Sequence, residues 1–146
     1  MSAAGFFVFL IIIAILSALS RLSPQPKQYG VPTTTEKGET VKSHSEGLIA
    51  DYFTRNGIRY EYEHSISGIG HPDFYLPDYD LVVEFWGLVD ADDENVRTRY
   101  VKNMRWKMAQ YHSRKIKFVS IYPRNLSNLD WVFRKKFEQV TGQRFH

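Results

Sequence analysis

Residues 73–85, DFYLPDYDLVVEF, narrow the choice of fold more than any other stretch of this chain. Two short runs rich in aromatic and β-branched residues, Asp73 to Leu76 and Leu81 to Phe85, flank the tetrapeptide Pro77-Asp78-Tyr79-Asp80. Proline presets φ and aspartate tolerates turn geometry, so the runs are expected to pair as an antiparallel hairpin. With the turn centred between Asp78 and Tyr79, Asp73 falls opposite Glu84. Directly opposed Cβ atoms lie roughly 5 Å apart, and two carboxylates at that separation repel unless a cation stands between them. Oxygen ligands alone suit Mg²⁺ or Mn²⁺, which take one or two carboxylates and fill their shells with water and phosphate.

The surroundings of the hairpin alternate between helix and strand patterns. Ser43 and Glu46 have the spacing of a capping box, followed by Leu48, Ile49, Tyr52 and Phe53 at helical intervals and a stop at Asn56-Gly57. Ile58 to His64 alternates apolar with polar residues, as a half-buried strand does, and a loop with Gly68 and Gly70 follows. Asp92 or Asp93 caps a second helix running to about His112, Lys115 to Tyr122 reads as a strand, and a last helix covers about Ser127 to Val140. Helix, three strands, helix, strand, helix is the order of an α/β (α+β) sandwich with a mixed sheet of about four strands.

Ahead of this domain, Met1 to Ser20 carries no charge, and Phe6 to Leu16 is unbroken apolar sequence. Twenty helical residues span roughly 30 Å, one hydrocarbon core. Residues 1–20 are therefore expected to be one N-terminal transmembrane helix. No Lys or Arg precedes the run, as it would in a secretory signal, although Ala18 and Ser20 leave a cleaved leader as the alternative. Arg21, Lys27, Lys37 and Lys42 follow it, which places the remainder in the cytoplasm. Residues 21–42, with Pro24, Pro26 and Pro32, are expected to be a flexible linker, and 43–146 the folded domain. The absence of cysteine excludes disulfides, thiolate metal sites and cysteine nucleophiles.

Two further residues bear on the acidic pair. Glu46 lies on the stripe of Ile49, Ala50 and Phe53 that turns toward the sheet, besides serving the helix N-terminus. Lys107 falls within the stripe of Val96, Tyr100, Asn103, Met104 and Tyr111 on the second helix, so its amine points inward. Half-buried lysines are uncommon unless paired. Between Asn95 and Leu129 there is no acidic residue but nine basic ones, among them Arg105, Arg114 and Lys115, which suits a polyanion.

The segments NGIRYEYEHS, HPDFYLPDYDLVVEFWG and YVKNMRWKMAQYH resemble the PD-(D/E)XK (restriction-endonuclease-like) nuclease superfamily, especially nuclease-like domains attached to UvrD/Rep-type helicases. The resemblance runs from about Ser43 to Tyr122. It implies an αβββαβ core and Mg²⁺- or Mn²⁺-dependent hydrolysis of phosphodiesters, of DNA in the first instance; with the apolar run of residues 1–20, the expectation is a membrane-anchored endonuclease. Asp73 and Glu84 would bind the metal, Glu46 would assist through water, and a lysine two residues after the glutamate would handle the attacking water. Trp86 stands in that lysine's place, and Lys107 is the candidate replacement. Arg105, Arg114 and Lys115 would contact nucleic acid, and His71 and His112 are expected to have no direct role. A homodimer or a helicase-like partner would supply what so short a chain lacks. The alternative is a catalytically inactive module of the same fold, binding nucleic acid or a protein at the membrane.

Overall fold

The computed structural model describes residues 30–144. A small hairpin, β1 (Thr33–Thr34) and β2 (Thr40–Val41), leads into helix α1 (His44–Arg55). Strands β3 (Glu61–Tyr62), β4 (Phe74–Leu76) and β5 (Leu81–Phe85) follow, then helix α2 (Glu94–Ser113), strand β6 (Lys117–Ile121) and helix α3 (Leu129–Thr141). The sheet order is β3-β4-β5-β6, antiparallel at the first two pairings and parallel at β5–β6, so the fold is α/β with a four-stranded mixed sheet. Helix α2 is the crossover that the parallel pairing requires.

The hairpin at the centre has the expected register. Phe74 pairs with Val83, Tyr75 with Val82 and Leu76 with Leu81, and one step further Asp73 stands opposite Glu84. Residues Pro77–Tyr79 form a single 3-10 turn and Asp80 closes it with φ 47°, the left-handed conformation that aspartate tolerates. Strand β3 is shorter than the seven residues expected from its alternation. Ile58 and Tyr60 do turn into the core as the pattern requires, but Glu63 adopts φ 51° and ends the ladder after Tyr62.

Every residue of β5 is buried, and its two faces differ. Leu81, Val83 and Phe85 join Val119 and Ile121 of β6 against Ile49 and Phe53 of α1 and Phe133 and Phe137 of α3. Four rings meet Phe53 edge-on or tilted, those of Tyr52, Tyr60, Phe74 and Phe133, geometries that favour aromatic pairs beyond their area. On the opposite face Val82 packs with Ile69 and Tyr111 in a much smaller cluster. Glu84 points to this thinner side, beneath α2.

The expected boundary between linker and domain is corrected. Residues 33–41 belong to the folded unit: Val41 is 1 % exposed, and β1 lies so close to α1 that a Cβ on Gly47 would stand 2.6 Å from Thr33 Cγ2. Strands of two residues are too short to show periodicity, and the Pro- and Thr-rich composition masks them. The expected transmembrane helix, residues 1–20, lies outside the described residues. Among the described residues no helix is long and apolar enough to cross a membrane.

Candidate active site

Four polar side chains converge where β4 and β5 pass between α1 and α2. Helix α1 begins at Ser43, whose extended backbone caps the first turn and whose Oγ accepts from Glu46 N at 3.2 Å. The reciprocal half of the expected capping box is not made. The Glu46 carboxylate instead accepts from the Ser43 hydroxyl at 2.8 Å and from the Tyr62 hydroxyl at 2.5 Å, because β3 brings Tyr62 across the helix start. Tyr62 in turn accepts from Lys42 N at 2.9 Å. Burial and the bond to Glu46 push the Tyr62 phenol well above its ordinary range, so it remains a donor.

Asp73 precedes β4 and is held by the backbone of the neighbouring strand, its Oδ2 accepting from Phe85 N at 2.6 Å. Burial first, and the charge of Glu84 second, push the Asp73 carboxyl well above the usual carboxylate range. The Phe85 amide and Lys107 oppose this, and Glu46 adds to it. Two carboxylates in poorly solvated surroundings are thus short of positive charge.

Glu84 is 1 % exposed, a burial that charged residues reach only when paired. Its partners come from α2. Lys107 Nζ donates to Glu84 Oε1 at 2.8 Å and to the backbone carbonyl of His71 at 3.0 Å, and the Tyr111 hydroxyl donates to the same Oε1 at 2.5 Å. Lys107 and Tyr111 are one helical turn apart and share a face. Among the described residues no donor reaches Glu84 Oε2 or Asp73 Oδ1, so each carboxylate keeps one oxygen uncommitted.

Trp86 fills the place next to this pair. It is 4 % exposed, its Nε1 donates to Ser120 Oγ at 2.9 Å, and the Lys107 amine lies 5.9 Å from its ring centroid. The indole therefore stands just past the end of β5, two residues after Glu84, while Lys107 reaches Glu84 from α2. Tyr100, two helical turns before Lys107, donates to the Phe85 carbonyl at 3.3 Å. Its phenol is pushed up by burial and by Asp73.

A cleft of about 400 Å³ opens onto Asp73 and Glu46, with Lys42, Phe85, Leu88 and Tyr100 also in its walls. Glu84 lies behind it. The structure thus brings Asp73, Glu84 and Lys107 together, with Glu46 beside Asp73 across the cleft. Among the described residues no three His, Asp or Glu side chains are grouped closely enough to hold one ion, so an ion here would rest on the Asp73–Glu84 pair and water. The remaining candidates lie elsewhere. Arg105 is exposed on the solvent side of α2. Arg114 donates to the Ser67 carbonyl at 2.7 Å and pins the loop at Gly68. Lys115 is exposed with φ 57° just past the helix end. The His71 ring faces its own loop, bonding the Glu63 carbonyl at 2.9 Å, and the His112 ring packs on Phe118.

Three tyrosines of the site, Tyr62, Tyr100 and Tyr111, were not identifiable as polar participants from sequence. The only signal was the place of Tyr100 and Tyr111 on the Lys107 stripe, which reads equally well as core packing. Comparison of the chain with family models, with curated proteins and with solved structures returns no match.

Proposed function

We propose that this chain is a metal-dependent nuclease of the PD-(D/E)XK kind, hydrolysing phosphodiester bonds in nucleic acid, DNA in the first instance. The observation that carries the reading is the Lys107 amine, delivered from α2 onto buried Glu84 beside Asp73, with Trp86, two residues after Glu84, in the place a motif lysine would take. The order of elements from α1 to β6 matches the αβββαβ core expected of that superfamily.

The donor set fits a hard divalent cation such as Mg²⁺ or Mn²⁺. Asp73 and Glu84 would hold it, and such an ion would relieve the charge deficit at Asp73. When bound, the ion polarises phosphate and lowers the pKa of water. The chain's own residues do the rest. Phe85 N–H fixes the Asp73 carboxylate, and Tyr111 fixes Glu84. Lys107, anchored by the His71 carbonyl, holds a positive charge where negative charge develops on the phosphate. Glu46, braced by Ser43 and Tyr62, orients water at the cleft wall. The apolar stretch within residues 1–20 would tether this domain to a membrane on the cytoplasmic side, and a second copy or a helicase-like protein would deliver the substrate.

One observation favours a second reading, an inactive module of the same fold that binds nucleic acid or protein: both oxygens of Glu46 are already taken by Ser43 and Tyr62. Full-length protein in detergent, given single-stranded, duplex and branched DNA and RNA with Mg²⁺, Mn²⁺ or EDTA, separates the two. Metal-dependent cleavage that disappears in Asp73→Ala and Lys107→Ala supports the enzyme. Absence of cleavage together with absence of calorimetric Mg²⁺ and Mn²⁺ binding refutes it.

A further inference from the structure

A second groove, of about 570 Å³, runs along α2 beside the carboxylate cleft, and the two share Leu88 and Tyr100 as a common wall. Its other main surfaces are Val96 and Trp106, with Arg99 and Lys102 at the edge. Trp106 is 47 % exposed and, with Leu88, Val96 and Tyr100, makes the groove's surface largely apolar. We propose that this groove holds an unpaired base of single-stranded nucleic acid against the Trp106 ring, and that single strands are therefore the substrate class of the adjoining site. The second half of that statement rests on the hydrolytic reading; the binding does not.

Three features point to this occupant. An apolar wall beside a half-exposed indole offers a flat stacking surface, and the face of a base is free to use it only when the base is out of a duplex. Arg99 and Lys102 are exposed and, among the described residues, neither is in an ion pair, so they suit the phosphates that flank a stacked base. The shared wall then leads the backbone of that strand from Trp106 past Tyr100 to Asp73. A second copy of this chain fits less well, because a two-fold contact over the groove would bring the same cations of both copies together.

The test is binding by full-length protein in detergent and EDTA, where nothing is cut, measured by fluorescence anisotropy of a labelled oligothymidylate and of a duplex of equal length. The single strand is expected to bind tighter than the duplex. Trp106→Ala should weaken it on the order of ten- to a hundredfold, the range of one base–aromatic stack. Trp106→Phe should retain most of the affinity, and Arg99→Ala should flatten the salt dependence by roughly one phosphate contact. Circular dichroism of each variant separates loss of binding from loss of folding. Equal or tighter binding of duplex, binding indifferent to Trp106→Ala, no oligonucleotide binding at all, or a Trp106→Ala variant altered only in sedimentation mass would each overturn the proposal. Stacking on Trp106 without cleavage under any metal sinks the hydrolytic reading and the substrate class with it, and leaves the binding standing. Metal-dependent cleavage of duplex with Trp106→Ala unaffected sinks the groove alone.

Discussion

Lys107 Nζ sits 2.8 Å from Glu84 Oε1, reaching over Trp86 from a helix that follows Glu84 in the chain. A buried ion pair contributes little against an apolar replacement of both partners, but removal of one partner leaves an uncompensated charge.

Lys107→Met is accordingly expected to destabilise the fold by about 3 kcal/mol, and the double variant Glu84→Gln, Lys107→Met to recover most of that loss. Both should lack nuclease activity. Urea unfolding and cleavage assays on the same preparations check this. A single variant that unfolds at the parent midpoint would show that the pair is not buried as described, and one that still cuts would remove Lys107 from the chemistry.

Asp73 links stability to pH. Its folded-state pKa is raised by burial and by Glu84. Below the ordinary carboxylate pKa the group is protonated in both states and contributes nothing. As pH rises past that value the unfolded chain releases the proton while the folded chain keeps it, so stability falls until pH passes the raised value. Asp73→Asn removes this slope, and in EDTA at neutral pH the variant should melt higher than the parent. Mg²⁺ should raise the parent midpoint and leave the variant unchanged. Scanning calorimetry across pH, with and without the ion, tests both halves; parallel pH profiles for parent and variant would contradict the assignment.

Tyr111→Phe removes one hydrogen bond to a charged, buried acceptor without leaving a cavity, since only the hydroxyl is lost. The expected cost is about 1.5–3 kcal/mol. Cleavage should fall less than in Lys107→Met, because the amine keeps its two acceptors at Glu84 and His71. A loss of activity as complete as that of Lys107→Met would assign Tyr111 a part in the reaction itself.

The hairpin ahead of α1 should matter for stability. Val41→Ala is expected to cost about 1–3 kcal/mol, as buried truncations of this size do. Protein beginning at Ser43 should be less stable than protein beginning at Gly30, and Thr33→Ala should not reproduce the whole difference. Denaturant midpoints of the three would settle it, and equal midpoints for the two truncations would return residues 33–41 to the status of a linker.

What the sequence determined by itself is mostly local. The helix at His44–Arg55 was legible because Ser43 and Asn56-Gly57 mark its ends by capping chemistry that needs only neighbouring residues. The hairpin register followed from Pro77 to Asp80, since a short turn fixes which residues oppose, and Asp73 fell opposite Glu84 for that reason alone. Lys107 could be singled out because an inward lysine needs a partner. Tertiary structure decided the rest. That Lys107 is shared between Glu84 and the His71 carbonyl, that Tyr111 takes the same oxygen, and that Glu46 bonds Tyr62 rather than completing its cap are contacts between residues 16 to 36 positions apart. The strand Ile58–His64 shrank to Glu61–Tyr62 because pairing depends on a partner's length and on the left-handed Glu63, neither of which its own alternation encodes. Periodicity reports which way a side chain faces, and only packing decides what it finds there.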